Sequence, residues 1–173
     1  MGRLPAEFAG KTITFRIPYS MPGELIVASN TQGTQFPDAT FLHNVDKPFE
    51  IHRVLVRLTG LDDNDAVIPA QPANLGKLVR LRLQDTSKNE ALTKAAHLVD
   101  TLLSANTETW DWEDPYTLVR SEGFQVQADT QVLGNVCSPD ANCDLVSTAV
   151  ASVRVEIAFQ GYLIVIAPPS EVR

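Results

Sequence analysis

The sequence predicts an all-β protein, a sandwich or barrel of eight or nine strands in one domain. Apolar and polar residues alternate with a period of two along most of the chain; Ile13, Phe15 and Ile17, for example, alternate with threonine and arginine. Gly, Pro, Asn and Asp stand between these alternating segments. Strands do not alternate with long helical patterns, so a parallel sheet built from βαβ units is not expected.

The predicted strands follow one another at short intervals. We expect them at residues 13–17, 24–29, 49–59, 78–84, 116–119, 124–128, 153–159 and 162–166. Pro18 and then Pro22-Gly23 are expected to end the first strand, because proline has no N–H for a ladder hydrogen bond. Residues 30–38 are rich in Thr, Gln, Gly and Pro and are expected to form a loop.

One segment favours a helix instead. Ser87 and Glu90 have the spacing of a capping box, in which the two residues satisfy each other's backbone N–H groups. Apolar residues then recur at helical spacing, at Leu92, Ala95, Val99 and Leu102. This pattern predicts a helix over residues 90–103, or a shorter helix followed by an extended stretch. The fold therefore contains at most one short helix.

The length of 173 residues fits one domain, which buries about 70% of its unfolded surface and needs no metal or disulfide to fold. Residues 1–10 have no strand pattern and contain Pro5 and Gly10, so they are predicted to be an N-terminal arm. Residues 11–173 form the single predicted domain.

The charge of the chain excludes two classes of partner. Lys plus Arg is 14 and Asp plus Glu is 21, which gives a net charge of −7. A nucleic-acid binder or a polybasic membrane-surface protein would need clustered basic residues, so neither partner is expected. The N-terminus lacks the apolar run of a secretory signal, and the longest apolar stretch, residues 162–167, is shorter than the roughly 20 residues of a membrane span. We expect a soluble protein made in a cytoplasm.

The two cysteines, Cys137 and Cys143, flank a turn at Pro139-Asp140. Their spacing is not that of a zinc site, and no second pair completes one. Two alternatives stay open. They are free thiols, or they form a disulfide that closes the short loop and stabilises the fold by about 2–2.5 kcal/mol.

No catalytic, cofactor or metal site is predicted, so the protein is not expected to be an enzyme and needs no cofactor. The chain has no nucleophile-elbow, zinc-protease, phosphate-loop or dinucleotide motif. His43, His52 and His97 fall on different elements and are expected to be structural. Residues 62–65 (DDND) lack the glycine and the final glutamate of a calcium loop and are expected to form a solvated turn.

Trp110 and Trp112 belong to the most unusual stretch of the chain, residues 110–115. In a strand both side chains point to the same side. If the rings are exposed and coplanar, they can stack on a sugar beside the neighbouring carboxylates. The alternative is packing in the core or between subunits, where aromatic residues bury the most area.

Arginines alternate with apolar residues on two predicted strands, at Arg53, Arg57, Arg80 and Arg82. On adjacent strands they form one cationic face suited to a carboxylate-rich partner. The alternative is a solvated sheet face with local ion pairs, each contributing about 0–1 kcal/mol. The carboxylates concentrate in loops and turns, at residues 62–65, 108–114 and 140–144. The acidic residues are thus predicted to lie at the loop end of the domain, and the arginines on a sheet face.

Three blocks of the chain resemble virion proteins of tailed bacteriophages. They are residues 78–85 (LVRLRLQD), 115–128 (PYTLVRSEGFQVQA) and 153–163 (VRVEIAFQGYL). Their order is a strand ending in R-x-x-D, a Pro-Tyr before a turn and an F-x-V strand, and a closing strand with F-x-G-Y-L. This order is similar to that of the jelly-roll decoration, or cement, proteins on the outer surface of phage heads.

The resemblance implies a jelly-roll-like antiparallel β-sandwich of about eight strands that stabilises contacts between capsomers. The implied partners are the major capsid protein and other copies of the chain, in a trimer rather than a dimer. The location is the outer capsid surface, after synthesis in the host cytoplasm. The expected capsid or subunit contacts are Leu4 and Phe8 of the arm, together with Arg53, Arg57, Arg80, Arg82, Trp110 and Trp112. The alternative function is a carbohydrate-binding module or a tail or head adhesin that uses the two tryptophans.

Overall fold

The computed structural model describes residues 12–28, 38–69, 71, 75–88, 90–93, 97–103, 109–130 and 150–167. The strands are β1 (Ile13–Ala28), β2 (Asp38–Leu42), β3 (Phe49–Leu61), β4 (Val79–Asp85), β5 (Glu90–Ala91), β6 (His97–Leu98), β7 (Thr109–Leu118), β8 (Gly123–Thr130) and β9 (Ser152–Ala167). Helix α1 (Val99–Leu102) and a 3-10 turn (Leu75–Lys77) are short. The predicted arm with Leu4 and Phe8, and the segment with Cys137 and Cys143, lie outside the described residues.

The strands form two antiparallel sheets in the order β1-β9-β3-β7 and β2-β8-β4-β5, and β6 pairs with β4. With the two-residue β6 set aside, the first strand pairs with the last, the second with the last but one, and so on inward. This is the pairing of one long hairpin wound into two layers, which is the jelly roll. The prediction of an all-β antiparallel sandwich is confirmed.

The core lies between the two sheets and follows the alternation in the sequence. In β4, Val79, Leu81 and Leu83 are buried. Phe124 of β8 and Phe159 of β9 join the sheets, with ring centroids 4.7 Å apart. Each such side chain contributes about 1.5–3 kcal/mol when it is fully buried. The inward-facing apolar residues in the middle of the long strands are therefore held against the opposite sheet.

Strand β1 corrects one prediction. Pro18 and Pro22 do not end it, and the strand pairs with β9 over sixteen residues. It is an edge strand, with β9 on one side only. An edge strand accepts proline where the missing N–H faces away from its neighbour, so two prolines four residues apart leave the ladder intact.

The helix predicted for residues 90–103 is wrong. Ser87 does not cap a helix; its backbone N–H donates to the Asp85 carboxylate at 2.7 Å and helps close a turn. Beyond the turn, Leu92 N donates to Leu83 O at 3.0 Å, so the chain follows the edge of β4. Among the described residues of this segment only α1 is helical, and no described helix is long and apolar enough to cross a membrane. Hydrogen bonds to the open edge of β4 therefore stabilise an extended conformation here, in place of the helix that the local pattern favours.

Gly161 of β9 lies where the β3–β9 register shifts between Ile51 and Arg53. A Cβ on Gly161 would lie 1.9 Å from the backbone oxygen of Glu50. We expect Gly161→Ala to lower the free energy of unfolding by about 1–3 kcal/mol, because the backbone of β3 must move. Urea denaturation measures this. Gln160→Ala, one residue earlier, should stay within about 0.5 kcal/mol, and equal effects of the two variants would contradict the close approach.

Strands β1 and β9 extend beyond the rest of their sheet. β3 begins at Phe49, opposite Leu163, and the backbone oxygen of Pro48 accepts the N–H of Ile164 at 2.8 Å. Beyond Ile164, β1 is the strand paired with β9 among the described residues. We call residues 13–17 and 163–167 the β1–β9 ribbon. It lies at one end of the sheet, where Leu163 packs against the core while Phe15, Ile17 and Ile166 are exposed.

Candidate functional site

The β1–β9 ribbon presents an apolar face. Phe15 lies opposite Val165 and Ile17 opposite Leu163, and directly opposed residues in a ladder share one face. The six residues of this apolar face are Ile13, Phe15, Ile17, Leu163, Val165 and Ala167. Phe15 is 39% exposed and Ile17 is 48% exposed.

The second face of the ribbon is half apolar and half polar. Ile166 is 61% exposed, the most of any large apolar residue in the described part of the chain, and Ile164 lies beside it. Opposite them stand Thr14 and Arg16. Arg16 is the only charged residue of the ribbon. Its Nη2 donates to Glu50 Oε1 at 3.3 Å, at the base of the ribbon.

A polar groove of about 580 Å³ lies next to the base of the ribbon. His52 Nε2 is 2.9 Å from Glu50 Oε1, and its ring meets Tyr162 edge-on at 5.4 Å. Arg53 Nε donates to Asp111 Oδ1 at 2.6 Å. The charged groups of this groove therefore pair with one another. The Arg53–Asp111 pair joins β3 and β7 of one sheet across this groove.

The arginines do not form one cationic face. Arg53 and Arg57 are on β3, whereas Arg80 and Arg82 are on β4, and these strands belong to different sheets. The prediction of adjacent strands is wrong, because consecutive strands β3 and β4 belong to opposite layers of the jelly roll. Whether the exposed Arg57 and Arg82 contact a partner stays a prediction.

Two of the arginines make matched ion pairs in different surroundings. Arg53 lies opposite Asp111 and Arg80 lies opposite Asp129, each pair on neighbouring strands. The Asp111 side chain is 63% exposed, whereas the Asp129 side chain is fully buried. Arg80 holds Asp129 through Nε, at 2.8 Å, and through Nη2. The hydrogen bond to Asp129 raises the pKa of Arg80 above its usual value.

Trp110 and Trp112 are not a pair of coplanar surface rings. They are half-buried and pack against the core. Their rings meet at 77° with centroids 5.4 Å apart, and Trp112 also meets Tyr116 and Phe124 edge-on. The stacking platform that a sugar-binding adhesin would use is therefore not formed, and the packing alternative is the one the structure supports.

His43 and the acidic turn at residues 62–65 make local hydrogen bonds to their own segments. His43 is fully buried, with Nε2 2.6 Å from the backbone oxygen of Lys47. The turn at residues 62–65 is confirmed: Asp62 accepts the backbone N–H of Asn64 at 2.8 Å, and Asp65 adopts a φ of 59°. Within the described ranges, no three His, Cys, Asp or Glu side chains are grouped as a metal ion would require.

Asp85 is a buried carboxylate that entered the sequence analysis only as the last residue of the R-x-x-D strand. It continues the inward-facing series of β4, and this position was the available signal. It accepts hydrogen bonds from the hydroxyl of Tyr116 in the opposite sheet, from Ser87 and from the Lys88 backbone. Burial by itself would raise the pKa of Asp85. The hydrogen bonds from Ser87, Tyr116 and Lys88 outweigh burial and lower this pKa to about 2.

Comparison with known proteins gives one distant structural similarity to report. No protein-family model and no curated protein sequence matches the chain. A chain of the cyanophage Pam1 capsid asymmetric unit aligns with a TM-score of 0.44 and 11% sequence identity. The alignment covers 94% of this chain and 92% of that chain.

Proposed function

We propose that this chain is a structural virion protein of a tailed phage, a decoration or cement subunit on the outer surface of the head. It would stabilise contacts between capsomers of the major capsid protein through buried interface area, without catalysis. The observation that carries the proposal is the β1–β9 ribbon, because exposed apolar side chains at the end of a well-packed sandwich are suited to protein contact.

The three sequence blocks that resemble decoration proteins support the proposal. They form β4, the end of β7 with β8, and most of β9. β4 and β8 are neighbours in one sheet, and β9 is a central strand of the other. The resembling residues therefore include central strands of both layers of the jelly roll.

The charge distribution also fits an outer-surface location. A chain with a net charge of −7 is unsuited to contact packaged DNA. Arg57 and Arg82 are exposed on opposite layers of the sandwich and are the described arginines we propose for contacts with shell carboxylates. The arm, through Leu4 and Phe8, would reach a neighbouring capsomer. The chain would be made in the host cytoplasm and end in the virion.

Fractionation of purified virions tests the proposal. We expect the chain in the head fraction, on the outer surface of the shell in a cryo-electron microscopy map. A chain found only in the tail fraction would contradict the decoration role. Heads that lack the protein should also take it up when the purified full-length chain is added.

Removal of residues 1–10 should leave the fold intact and weaken attachment to heads, because the arm is proposed to clamp a neighbour. Circular dichroism checks the fold, and occupancy on heads measures attachment. The full-length chain is the control. Normal occupancy of the shortened chain would exclude the clamp.

A further inference from the structure

We propose that the polar groove beside His52, Arg53 and Asp111 binds an uncharged oligosaccharide. The site differs from the tryptophan platform considered above, because Asp111 and its neighbour Trp110 point to opposite sides of β7. The inference goes beyond the proposed function, since the binding would be a property of the isolated chain.

The groove lies on the outer face of the sheet β1-β9-β3-β7. Gln160 of β9 is opposite Ser20 of β1 and Arg53 of β3, so these three side chains share one face. Phe159, the preceding residue, is fully buried in the core, and the shared face is therefore the outer one. Tyr162, two residues after Gln160, lines the same groove.

Several polar groups of the groove keep hydrogen-bonding capacity. Arg53 donates through Nε to one oxygen of Asp111, at 2.6 Å, which leaves its other N–H groups and the second carboxylate oxygen for a ligand. Among the described residues, no side-chain hydrogen bond occupies the hydroxyls of Ser20 and Tyr162 or the amide of Gln160. Donors and acceptors that converge in this way match the hydroxyl groups of a sugar, each of which donates and accepts.

The charge of the groove favours an uncharged ligand. The chain carries −7, but Arg53 and Asp111 balance each other inside the groove, and Glu50 at its margin is paired with Arg16. A charged ligand would have to compete with one member of the Arg53–Asp111 pair for the other. A sugar can instead bond to both members without separating them, and hydrogen bonds to charged groups are stronger than those between neutral groups.

Tyr162 supplies an aromatic surface in the groove. Its ring is 37% exposed, and the His52 ring meets it edge-on, with centroids 5.4 Å apart and an interplanar angle of 83°. This contact holds the tyrosine ring in place. The C–H groups of a hexose pack on such a ring while its hydroxyls reach the neighbouring polar side chains.

The shape of the groove favours a sugar over a peptide. Its volume of about 580 Å³ lies in the usual range of small-molecule sites, about 300–1,000 Å³. β9 and β3 each have a paired strand on both sides, so a peptide cannot add to them as a further strand. The registers of β3 with β7 and with β9 both shift between Ile51 and Arg53, and such bulges are frequent beside binding sites.

The groove has room beside it for further sugar units. Leu55 lies opposite Ala158, two residues along from the pair Arg53 and Gln160. These two residues line a second groove of about 520 Å³ on the same face. An oligosaccharide therefore fits the site better than a single hexose.

Isothermal titration calorimetry of the full-length chain with maltohexaose, cellohexaose and β-1,4-mannohexaose tests the inference. We expect at least one of the three to bind. Gln160→Ala, Arg53→Met and Tyr162→Ala should each weaken this binding about tenfold or more, because each removes a contact to the sugar. Arg120→Met is the matched control, since Arg120 forms an exposed pair with Asp46 outside the groove and its loss should leave binding unchanged.

Circular dichroism and thermal melting establish that each variant is folded. A native chain that binds none of the three oligosaccharides overturns the inference. Binding that survives both Gln160→Ala and Arg53→Met also overturns it, because the sugar then lies elsewhere. Hexamannuronate, the anionic counterpart of mannohexaose, should bind more weakly than mannohexaose, and tighter binding would contradict an uncharged ligand. Attachment to heads is measured separately, so failure here leaves the decoration role untouched.

Discussion

Arg80→Met is expected to lower the free energy of unfolding by about 3–5 kcal/mol, because it leaves the buried Asp129 carboxylate without its cation. The Asp129 side chain is fully buried, and Arg80 supplies two donors to it. Methionine keeps most of the volume of the arginine stem. The decrease in the free energy of unfolding therefore measures the effect of the unpaired charge and not that of a cavity. Urea denaturation at pH 7 measures it.

The ion pair between Arg53 and Asp111 provides the control for this experiment. Arg53→Met breaks a pair of the same chemistry, also between directly opposed residues, but Asp111 is 63% exposed and is solvated by water afterwards. We expect a loss of at most about 1 kcal/mol. Equal losses for the two variants would contradict the role of burial. The double variant Arg80→Met with Asp129→Leu should recover much of the loss, because no buried charge then remains.

Acid is expected to remove about 2 kcal/mol of stability through Asp85. The pKa of Asp85 is about 2 in the folded chain, against an ordinary value of 3.8. Between these values the unfolded chain binds more protons, so stability falls as the pH is lowered. The contribution is complete above about pH 5 and declines as the pH falls toward 2 and below. The free energy of unfolding from urea titrations, measured at intervals between pH 7 and pH 2, reports the loss.

Asp85→Asn isolates the contribution of this carboxylate. The amide does not titrate, while every other acidic group responds as in the native chain. The difference in unfolding free energy between the two proteins should therefore shrink by about 2 kcal/mol as the pH falls. Tyr116→Phe removes one hydrogen-bond donor and should shift the decline to higher pH. Parallel pH curves for the native chain and Asp85→Asn would contradict the lowered pKa.

Alternation in the sequence was sufficient to identify most of the sandwich. The pattern at residues 79–83 predicted which side chains are buried, because a period of two places successive residues on opposite faces whatever the strand pairs with. The same pattern missed β2, where only Ala39 and Phe41 turn inward. A strand of five residues beside a loop carries too few alternations to stand out.

Local signals failed where the neighbours of a segment decided its conformation. The capping-box spacing at Ser87 is typical of a helix start. In the fold, however, the N–H of Leu92 donates to the backbone oxygen of Leu83 at the edge of β4. The prolines of β1 usually end a strand, but β1 is an edge strand, which tolerates them. In both cases a hydrogen-bonding partner distant in sequence changed the outcome, and local propensity contains no information about such partners.

Alternation and turn residues act locally, so they were enough to predict that this acidic chain folds as an antiparallel sandwich. Which charged side chains form ion pairs depended on the tertiary fold. It separated the four arginines between two sheets, buried Asp129 beneath Arg80 and placed Asp85 under Tyr116. It also left Phe15, Ile17 and Ile166 exposed, at the end where β3 begins at Phe49 while β1 and β9 continue. Pairings between strands distant in sequence set these features, since each depends on where two segments of the chain end relative to each other.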